Sequence, residues 1–353
     1  MNETKEETGR SRPTIRDVAR AAKVSIGTVS SVINNSILVA PDTRRRVEAS
    51  IEAIGYEPNN AARSLKRGRI SSIGIIVPDL GNPYFASVAE GIANGAARDD
   101  VLMVLCLTAA DIEREDHYAQ VLRARRLDGI VYLSGTGLPS LSLLRLAERG
   151  NVIFVDERVP AIDLPFVSAG NRTGARALAN HVLYLGHRRI AIIGGSSRLW
   201  TSEQRLAGYR EAIAAAGLDP DATPVVDGDY TERSGYDAAL RLLKGAENPP
   251  PTALICANDL MAIGALRACR KLGLVVPHDV SVTGFDDIPS VQLLDPPLTT
   301  VAQPGHAMGE AAAGLLLYRI GVRATPPERT EFPTTLVVRA SVAPAGSHCC
   351  MYL

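Results

Sequence analysis

The spacing of apolar residues predicts two short helices near the start of the chain. In the first helix the apolar residues recur at i, i+3, i+4 and i+7, which places them on one face that must be buried. These residues are Ile15, Val18, Ala19 and Ala22. Thr14 and Asp17 have the spacing of a capping box, in which two side chains satisfy free backbone N–H groups of the first turn. We therefore expect a helix that begins just after Thr14, followed by a turn at Lys23 and Val24.

The second predicted helix has an outer face that is small and uncharged. Ser25 suits the N-cap position, and Val24 can pack on Val29 at the helix start. Val32 and Ile33 complete the inner face. The outer face consists of Ile26, Gly27, Ser30, Ser31 and Asn34. Since a solvated helix face normally carries Lys and Glu, this face is predicted to approach another surface closely. The alternative is a plain helical hairpin packed on a third helix.

A third helix is expected to complete this small domain. Pro41 is well placed as its first residue, and Gly55 is suited to end it. The residues of its inner face are Val47, Ile51 and Ile54. Ala40 precedes the helix and cannot cap it, which costs about 1 kcal/mol of stability relative to Ser. Residues 13–57 are thus predicted to form one all-α domain.

The stretch from Thr14 to Asn34 reads TIRDVARAAKVSIGTVSSVIN. It resembles the helix-turn-helix of the LacI/GalR family of bacterial transcription regulators, and it matches the fixed positions of that motif throughout. The resemblance implies a DNA-binding head whose second helix reads the major groove. The residues that it places at the DNA are Thr14, Ser25, Ile26, Gly27, Thr28, Ser30, Ser31 and Asn34. Ile26, Gly27 and Ser31 would choose the operator sequence, mainly through an apolar contact such as Ile26 with a thymine methyl group.

Residues 58–69 are polar and basic, and they have room for only about two helical turns between Asn60 and Lys66. A helix this short is marginal in water, so the residues alone leave a flexible linker open. The family resemblance implies a hinge helix that packs on its copy in the minor groove and wedges Leu65 into the central base step. The hinge residues that it assigns to DNA are Asn60, Ala62, Arg63, Leu65 and Lys66. The resulting kink is predicted to carry an unusually large share of operator specificity.

From about residue 70 onward, short apolar strands alternate with helices. The predicted strands cover residues 73–77, 102–107, 130–133, 152–155, 190–193, 223–226, 253–256 and 280–283. The predicted helices cover residues 85–97, 112–125, 141–149, 174–185, 205–216, 234–243 and 260–272. Continuous apolar strands between helices indicate parallel sheets covered on both faces, and two such sets indicate an α/β body of two doubly wound lobes.

The family resemblance extends through this body and implies lobes of the periplasmic-binding-protein type, joined by three chain crossings. The crossings are expected near 168–170, 300–303 and 333. The implied effector-binding and dimerisation core covers residues 70–343, and a tail follows at 344–353. Within the core, lobe 1 consists of about 70–169 and 302–331. Lobe 2 consists of about 170–301 and 332–343.

Polar and aromatic residues follow several of these strands, where ligands of such sheets bind. Strand-end position and the family resemblance together assign the effector to Asn82, Tyr84, Phe85, Asp156, Trp200, Thr201, Arg205, Tyr230, Asn258, Asp286 and Gln303. Arg205 is expected at the start of a helix, with Trp200 before it as a stacking platform. Taken singly, Phe85 could instead cap the core of its lobe, and Asp156 could be solvated. Together, such groups beside aromatic faces suit a polyhydroxylated or heterocyclic small molecule.

The charge distribution agrees with a DNA-binding head on a separate body. The chain of 353 residues is 46% hydrophobic, which is enough for a small domain and a two-lobed core, and its formal net charge is zero. A net charge of zero argues against a protein that binds nucleic acid over most of its surface. However, residues 10–69 carry twelve Arg and Lys against five Asp and Glu. A basic head therefore sits on an acidic body.

Other function classes lack their motifs. The five cysteines show no metal-ligand spacing, and Cys106, Cys256 and Cys269 sit in apolar settings typical of buried free thiols. A Walker motif, a dinucleotide fingerprint and a Ser–His–Asp set are missing, so we expect neither a metal, a cofactor nor an enzymatic activity. No apolar run could span a membrane, and the polar N-terminus does not resemble a signal peptide. A cytoplasmic, nucleoid-associated protein is expected, disordered at residues 1–12 and 344–353.

Together with these patterns, the family resemblance implies a sequence-specific transcription regulator, most simply a repressor. Its partners would be a palindromic double-stranded operator, a second copy of the chain and a small effector bound between the lobes. The C-terminal region lacks a leucine heptad, so a homodimer is expected and not a tetramer. A sugar or sugar derivative is the leading effector, and a nucleoside or purine is the alternative. A solute-binding protein without a gene-control role is a further alternative, which the helix-turn-helix disfavours.

Overall fold

The computed structural model describes residues 13–33, 39–56, 72–148, 150–244 and 249–346. Contacts divide the chain into two units, Met1–Ser71 and Ser72–Leu353. The first unit contains helices α1 (Ile15–Ala22), α2 (Ile26–Ile33) and α3 (Pro41–Ile54), which confirms the three predicted helices. The hinge helix predicted within 58–69 and the disorder predicted for 1–12 fall outside the described residues, as does the part of the predicted disordered tail over 347–353. Disorder was also predicted for 344–346, but these residues are ordered: the N–H of Ala345 donates to the carbonyl oxygen of Leu185 at 2.9 Å.

The head, residues 13–56, is held together by a small apolar core that draws on all three helices. Val18, Val29 and Val47, one from each helix, are fully buried. The Asp17 carboxylate accepts hydrogen bonds from the N–H and the hydroxyl of Thr14, at 2.9 and 2.6 Å. The predicted capping box is therefore formed at the start of α1.

The other helix ends of the head also follow local sequence signals. The Ser25 hydroxyl oxygen accepts a hydrogen bond from the N–H of Thr28 at 3.1 Å, as expected of an N-cap. Gly55 ends α3 with a φ of 65°, a left-handed conformation that glycine adopts without strain. Ala40 supplies no side-chain cap to α3. Local side-chain chemistry thus accounts for the start of α2 and the end of α3.

The second unit contains two lobes, each built on a parallel sheet. The strands of lobe 1 are β1 (Ser72–Val77), β2 (Leu102–Leu107), β3 (Gly129–Tyr132), β4 (Val152–Val155), β5 (Phe166–Ala169) and β11 (Glu331–Phe332). Its helices are α4 (Pro83–Ala97), α5 (Ile112–Ala124), α6 (Leu141–Ala147) and α11 (Gly305–Arg319). The six strands lie in the order β11-β5-β4-β3-β1-β2, and neighbouring strands are parallel.

Lobe 2 repeats this arrangement on a smaller scale. Its strands are β6 (Ile190–Gly194), β7 (Val225–Asp227), β8 (Ala253–Cys256) and β9 (Ser281–Thr283). Its helices are α7 (Asn171–Tyr184), α8 (Trp200–Ala215), α9 (Glu232–Lys244) and α10 (Asp259–Leu272). The strand order is β7-β6-β8-β9, again with parallel neighbours. Both sheets confirm the predicted parallel α/β body.

A separate pair of strands lies where the chain passes between the lobes. Strand β10 (Thr300–Ala302) pairs antiparallel with β12 (Thr335–Val337). The N–H of Gly170 donates to the carbonyl oxygen of Phe332 at 2.8 Å, which joins two of the passing segments. These segments lie close to the crossings that the family resemblance implied.

The start of α8 differs from the prediction. The helix begins at Trp200, not at Arg205, so Arg205 lies in its second turn. Its N-cap residue is Leu199, whose side chain has no polar atom, and the carboxylate of Glu157 accepts the N–H groups of the first turn instead. Because this cap comes from a distant part of the chain, no local signal marked the helix start.

The edge of the larger sheet also differs from the prediction. Strand β2 lies at the end of the strand order, and Leu102 and Leu107 leave 65% and 42% of their surface exposed. This strand was predicted to be covered on both faces. Strands β5 and β11 were not predicted, because each is short and acquires its pairing only from the neighbouring strand. Cys106, Cys256 and Cys269 are buried free thiols, as expected.

Candidate ligand cleft and recognition helix

A cavity of about 640 Å³ lies between the two lobes of the second unit, at the carboxyl ends of the strands. Eight of the eleven predicted effector residues line it: Asn82, Tyr84, Phe85, Asp156, Thr201, Arg205, Tyr230 and Asp286. The lining also includes residues that were not predicted: Pro78, Asp79, Gly81, Ala109, Ala110, Leu133, Ser134, Gly135, Glu157, Leu199, Asp229, Thr231, Glu232 and Leu260. Many of these are small or apolar, so only their position after a strand could have indicated them.

The remaining three predicted residues lie behind or beside the lining. Asn258 caps α10 by accepting from the N–H of Met261 at 2.9 Å. Gln303 donates to the carboxylate of Asp286 at 2.8 Å and so supports a lining residue. The ring of Trp200 packs elsewhere, so the predicted stacking platform does not form part of the cavity wall in this structure.

Arg205 is the central cation of the cavity. Only 3% of its surface is exposed. Its guanidinium donates to the side-chain oxygen of Asn171 at 2.8 Å and to the carbonyl oxygen of Ala257 at 2.6 Å. It also lies 3.6 Å from the Asp286 carboxylate and 4.0 Å from the centre of the Phe285 ring. These contacts hold the guanidinium in one orientation, with its charge at the floor of the cavity.

Burial shifts the titration of the groups around Arg205. Burial raises the pKa of Asp286 to about 7, although Arg205 and the hydrogen bond from Gln303 lower it. Burial also raises the pKa of Asp156, against the lowering effects of Arg205 and Tyr84. Burial alone would lower the pKa of Arg205, but the nearby carboxylates outweigh it and the pKa ends above its ordinary value. The site is therefore one guanidinium held between two acids that resist ionisation.

Asp156 and Asp286 face the cavity from opposite lobes, and both have an unusual backbone. The hydroxyl of Tyr84 donates to Asp156 at 2.7 Å. The φ angles are 61° at Asp156, 66° at Tyr230 and 111° at Asp286. Positive φ is uncommon for residues other than glycine and is often found at functional sites. All three of these residues follow a strand and line the cavity.

Glu157 is a further lining residue that was not assigned to the site. Its carboxylate accepts from the N–H of Trp200 at 2.8 Å, and from the N–H and hydroxyl of Thr201 at 3.1 and 2.7 Å. Glu157 follows β4 in lobe 1, whereas Trp200 and Thr201 begin α8 in lobe 2. The sequence signal was the run of charged residues after the fourth predicted strand, but only the tertiary structure shows what Glu157 meets.

The recognition helix α2 buries its valine face and exposes its small residues. Val29 and Val32 are buried, whereas Ile26 leaves 46% of its surface exposed. The other predicted DNA contacts that are exposed are Thr14, Ser25 and Gly27. The half-buried ones are Thr28, Ser30 and Ser31. The predicted contacts that lie outside the described residues are Asn34, Asn60, Ala62, Arg63, Leu65 and Lys66. The apolar side chain of Ile26 is thus exposed on the surface of the head.

Two family models match the chain. Residues 14–59 match bacterial regulatory proteins of the lacI family, and residues 179–342 match a periplasmic binding protein-like domain. The repressor CytR of Escherichia coli (strain K12) is 36% identical over 318 residues, covering 90% of this chain and 92% of CytR. The chain belongs to the lacI family of bacterial regulatory proteins.

Solved structures of the family agree with the fold. The lac repressor dimer bound to operator and the anti-inducer ONPF has a TM-score of 0.81 at 27% identity, and the match covers 94% of this chain and 100% of that one. The transcriptional regulator CelR in complex with cellobiose has a TM-score of 0.68 at 33% identity, with the same coverage.

As a lacI-family protein, the chain is a DNA-binding transcriptional regulator with an effector-binding body. The predicted helix-turn-helix head and two-lobed α/β body are confirmed. The relatives that it matches across its length are regulators of transcription and not enzymes, which agrees with the sequence prediction. Across the described ranges from residue 13 to residue 346, no helix is long and apolar enough to cross a membrane.

Proposed function

We propose that this chain is a dimeric repressor whose affinity for a palindromic operator is controlled by a sugar or sugar derivative bound between the lobes of its body. The observation that carries the proposal is the cavity of about 640 Å³, a size typical of small-molecule sites. Opposite lobes contribute its polar groups, so a bound effector bridges them. The domain limits of 13–57, 58–69 and 70–343 are part of this proposal, as is action at the nucleoid in the cytoplasm.

The chemistry of the cavity favours a polyhydroxylated ligand. The carboxylates of Asp156 and Asp286 can each accept hydrogen bonds from hydroxyl groups, and the guanidinium of Arg205 can donate to ring and hydroxyl oxygens. Tyr84 and Tyr230 add aromatic surface on which the apolar face of a sugar ring can lie. The relative CelR has been solved as a complex with cellobiose, which supports a carbohydrate as the effector class.

A nucleoside is the second candidate, and one arrangement favours it. Phe85 lines the cavity from lobe 1 and Tyr230 lines it from lobe 2. Aromatic groups on two sides of a cavity can enclose a flat heterocycle, and the carboxylates can hold the ribose hydroxyls. The two candidates differ in that a nucleoside needs both rings, whereas a sugar needs one ring and the carboxylates.

Thermal-shift screening of the purified chain tests both candidates. A panel of sugars, polyols and nucleosides is applied, because a ligand that binds only the folded state raises the unfolding temperature by mass action. A sugar hit that is lost in Asp156→Asn but kept in Phe85→Leu supports the leading proposal. A nucleoside hit that is lost in Phe85→Leu supports the alternative. Hits that survive all changes to lining residues would contradict both.

The DNA half of the proposal rests on the exposed face of α2 and on the hinge helix that the family resemblance implies for residues 58–69. Selection from random oligonucleotides should return a palindrome, since a two-fold dimer presents two equivalent helices. Leu65→Ala should weaken operator binding, because the leucine wedge helps to offset the energy of the DNA kink. Leu141→Ala is the matched control, a leucine that is 71% exposed on α6 of the body. Unchanged operator affinity in Leu65→Ala, or selection without a palindrome, would count against the proposal.

A further inference from the structure

Residues 198–201 lead into α8 and form its first two positions. Although α8 belongs to lobe 2, lobe 1 contacts these residues from three sides. The first contact is the carboxylate of Glu157, which accepts from the N–H groups of Trp200 and Thr201 at 2.8 and 3.1 Å and from the Thr201 hydroxyl at 2.7 Å. Glu157 is only 2% exposed. The oxygen atoms of Glu157 thereby satisfy N–H groups that the first turn of a helix leaves without a partner.

The second contact is a close approach of two backbones. Gly137 follows β3 in lobe 1 and has a φ of 66°, and a Cβ atom placed on it would lie 2.4 Å from the carbonyl oxygen of Arg198. The third contact surrounds the indole of Trp200. The Phe166 ring meets it edge-on with centres 5.1 Å apart, and the Arg158 guanidinium lies 5.2 Å from its centre. All three contacts join the same corner of the two lobes.

We propose that Glu157 is a positioning residue for effector binding, which caps α8 from the opposite lobe and thereby holds the lobes closed around the cavity. Helix α8 also carries Thr201 and Arg205, which line the cavity. Capping α8 therefore holds Thr201 against lobe 1 and fixes the position of the helix that carries Arg205. This role in effector binding rests on the proposed function, but the closure itself can be measured without any effector.

The clasp formed by Glu157 and residues 198–201 depends on pH. Burial raises the pKa of Glu157 to about 7, with Thr201 lowering it and Asp156 raising it. The titratable groups that act on it are Asp156, from its own loop, and Tyr230, from the loop after β7. When the lobes separate, the carboxylate returns to water and its ordinary, lower pKa. The closed state thus holds the proton more tightly, and closure is favoured as pH falls through about 7.

The full chain contains a natural reporter of this clasp, because Trp200 is its single tryptophan. Acrylamide quenching of Trp200 fluorescence measures how accessible the indole is, and therefore how much of the population is open. It is measured at about pH 6 and about pH 8 in the wild type, in Glu157→Ala and in Glu157→Gln. Asp111→Ala is the matched control, since Asp111 caps α5 within lobe 1 by accepting from the N–H of Arg114 at 3.0 Å.

We expect Glu157→Ala to raise the quenching constant about twofold or more at both pH values, because the open population grows. The wild type should become less quenched as pH falls from about 8 to about 6, and at the higher pH Glu157→Gln should be less quenched than the wild type. Asp111→Ala should match the wild type throughout. Circular dichroism verifies that each variant is folded, and if Glu157→Ala is not, the Glu157→Gln comparison decides.

Two results would overturn the proposal. One is a quenching constant in folded Glu157→Ala equal to that of the wild type. The other is a quenching constant in Glu157→Gln that is larger than that of the wild type at about pH 8, since the neutral side chain should favour the closed state. Neither depends on finding an effector, so failure of the clasp and failure of the proposed function are told apart.

Discussion

Replacing Arg205 by Met tests the electrostatic centre of the cavity. The substitution keeps an unbranched, buried side chain but removes the charge and its donors. Arg205 is 3% exposed and lies 3.6 Å from Asp286, and it donates to Asn171 and Ala257. Its removal leaves a buried carboxylate without a counter-charge and two acceptors without their donor. Breaking a buried pair in this way costs about 3–5 kcal/mol of the free energy of unfolding.

The loss should depend on pH, with a definite sign. In the wild type the pKa of Asp286 is raised from 3.8 to about 7, so the folded state binds a proton that the unfolded state releases, and stability falls as pH rises between these values. Without Arg205 the folded pKa rises further, and stability keeps falling where the wild type has levelled off. The gap between the two proteins should therefore widen above pH 7 by up to about 1.4 kcal/mol per pH unit.

Urea unfolding followed by circular dichroism at about pH 6 and about pH 8 measures both effects. The double variant Arg205→Met with Asp286→Asn should recover most of the loss at the higher pH, because no buried charge remains. Arg98→Met is the control, as it breaks an exposed pair with Glu310 that should be worth less than about 1 kcal/mol. A loss in Arg205→Met no larger than in this control, or one that is equal at both pH values, would refute the reasoning.

Three further outcomes are expected. Tyr84→Phe removes the hydroxyl that donates to buried Asp156 at 2.7 Å. It should lower the free energy of unfolding by about 1–2 kcal/mol in denaturant titrations. An unchanged unfolding midpoint would mean that water replaces the hydroxyl. Gly309→Ala places a Cβ 2.1 Å from the carbonyl oxygen of Val88 on the neighbouring helix α4, so it should destabilise the body by about 1–3 kcal/mol in thermal unfolding despite the better helix propensity of Ala. Gly27→Ala meets only the Ser25 hydroxyl oxygen at 3.5 Å and should stabilise the head by about 1 kcal/mol, while altering the half-site bases found by oligonucleotide selection; an unaltered half-site would argue that this face does not meet the bases.

The sequence by itself determined the elements whose causes are local. The capping box of Thr14 and Asp17, the N-cap at Ser25 and the glycine stop at Gly55 all act within a few residues of the chain. The helical period of the valines then decides which face of the head is buried. The same holds for the central strands of the body, because solidly apolar runs such as those at β3 and β4 can only be buried.

The tertiary structure alone decided the features that depend on partners far away in the chain. The start of α8 is set by Glu157 from the other lobe, so local signals placed it too late. Trp200 was predicted to stack on the ligand because it follows a strand, but its indole packs against Arg158 and Phe166. Strand β2 reads as buried, yet its place at the sheet edge leaves Leu102 exposed. Caps from another lobe, cavity walls and sheet edges each depend on two segments that are far apart in the chain. The sequence pattern gives the chemistry of each segment, but it does not show which other segment will pack against it.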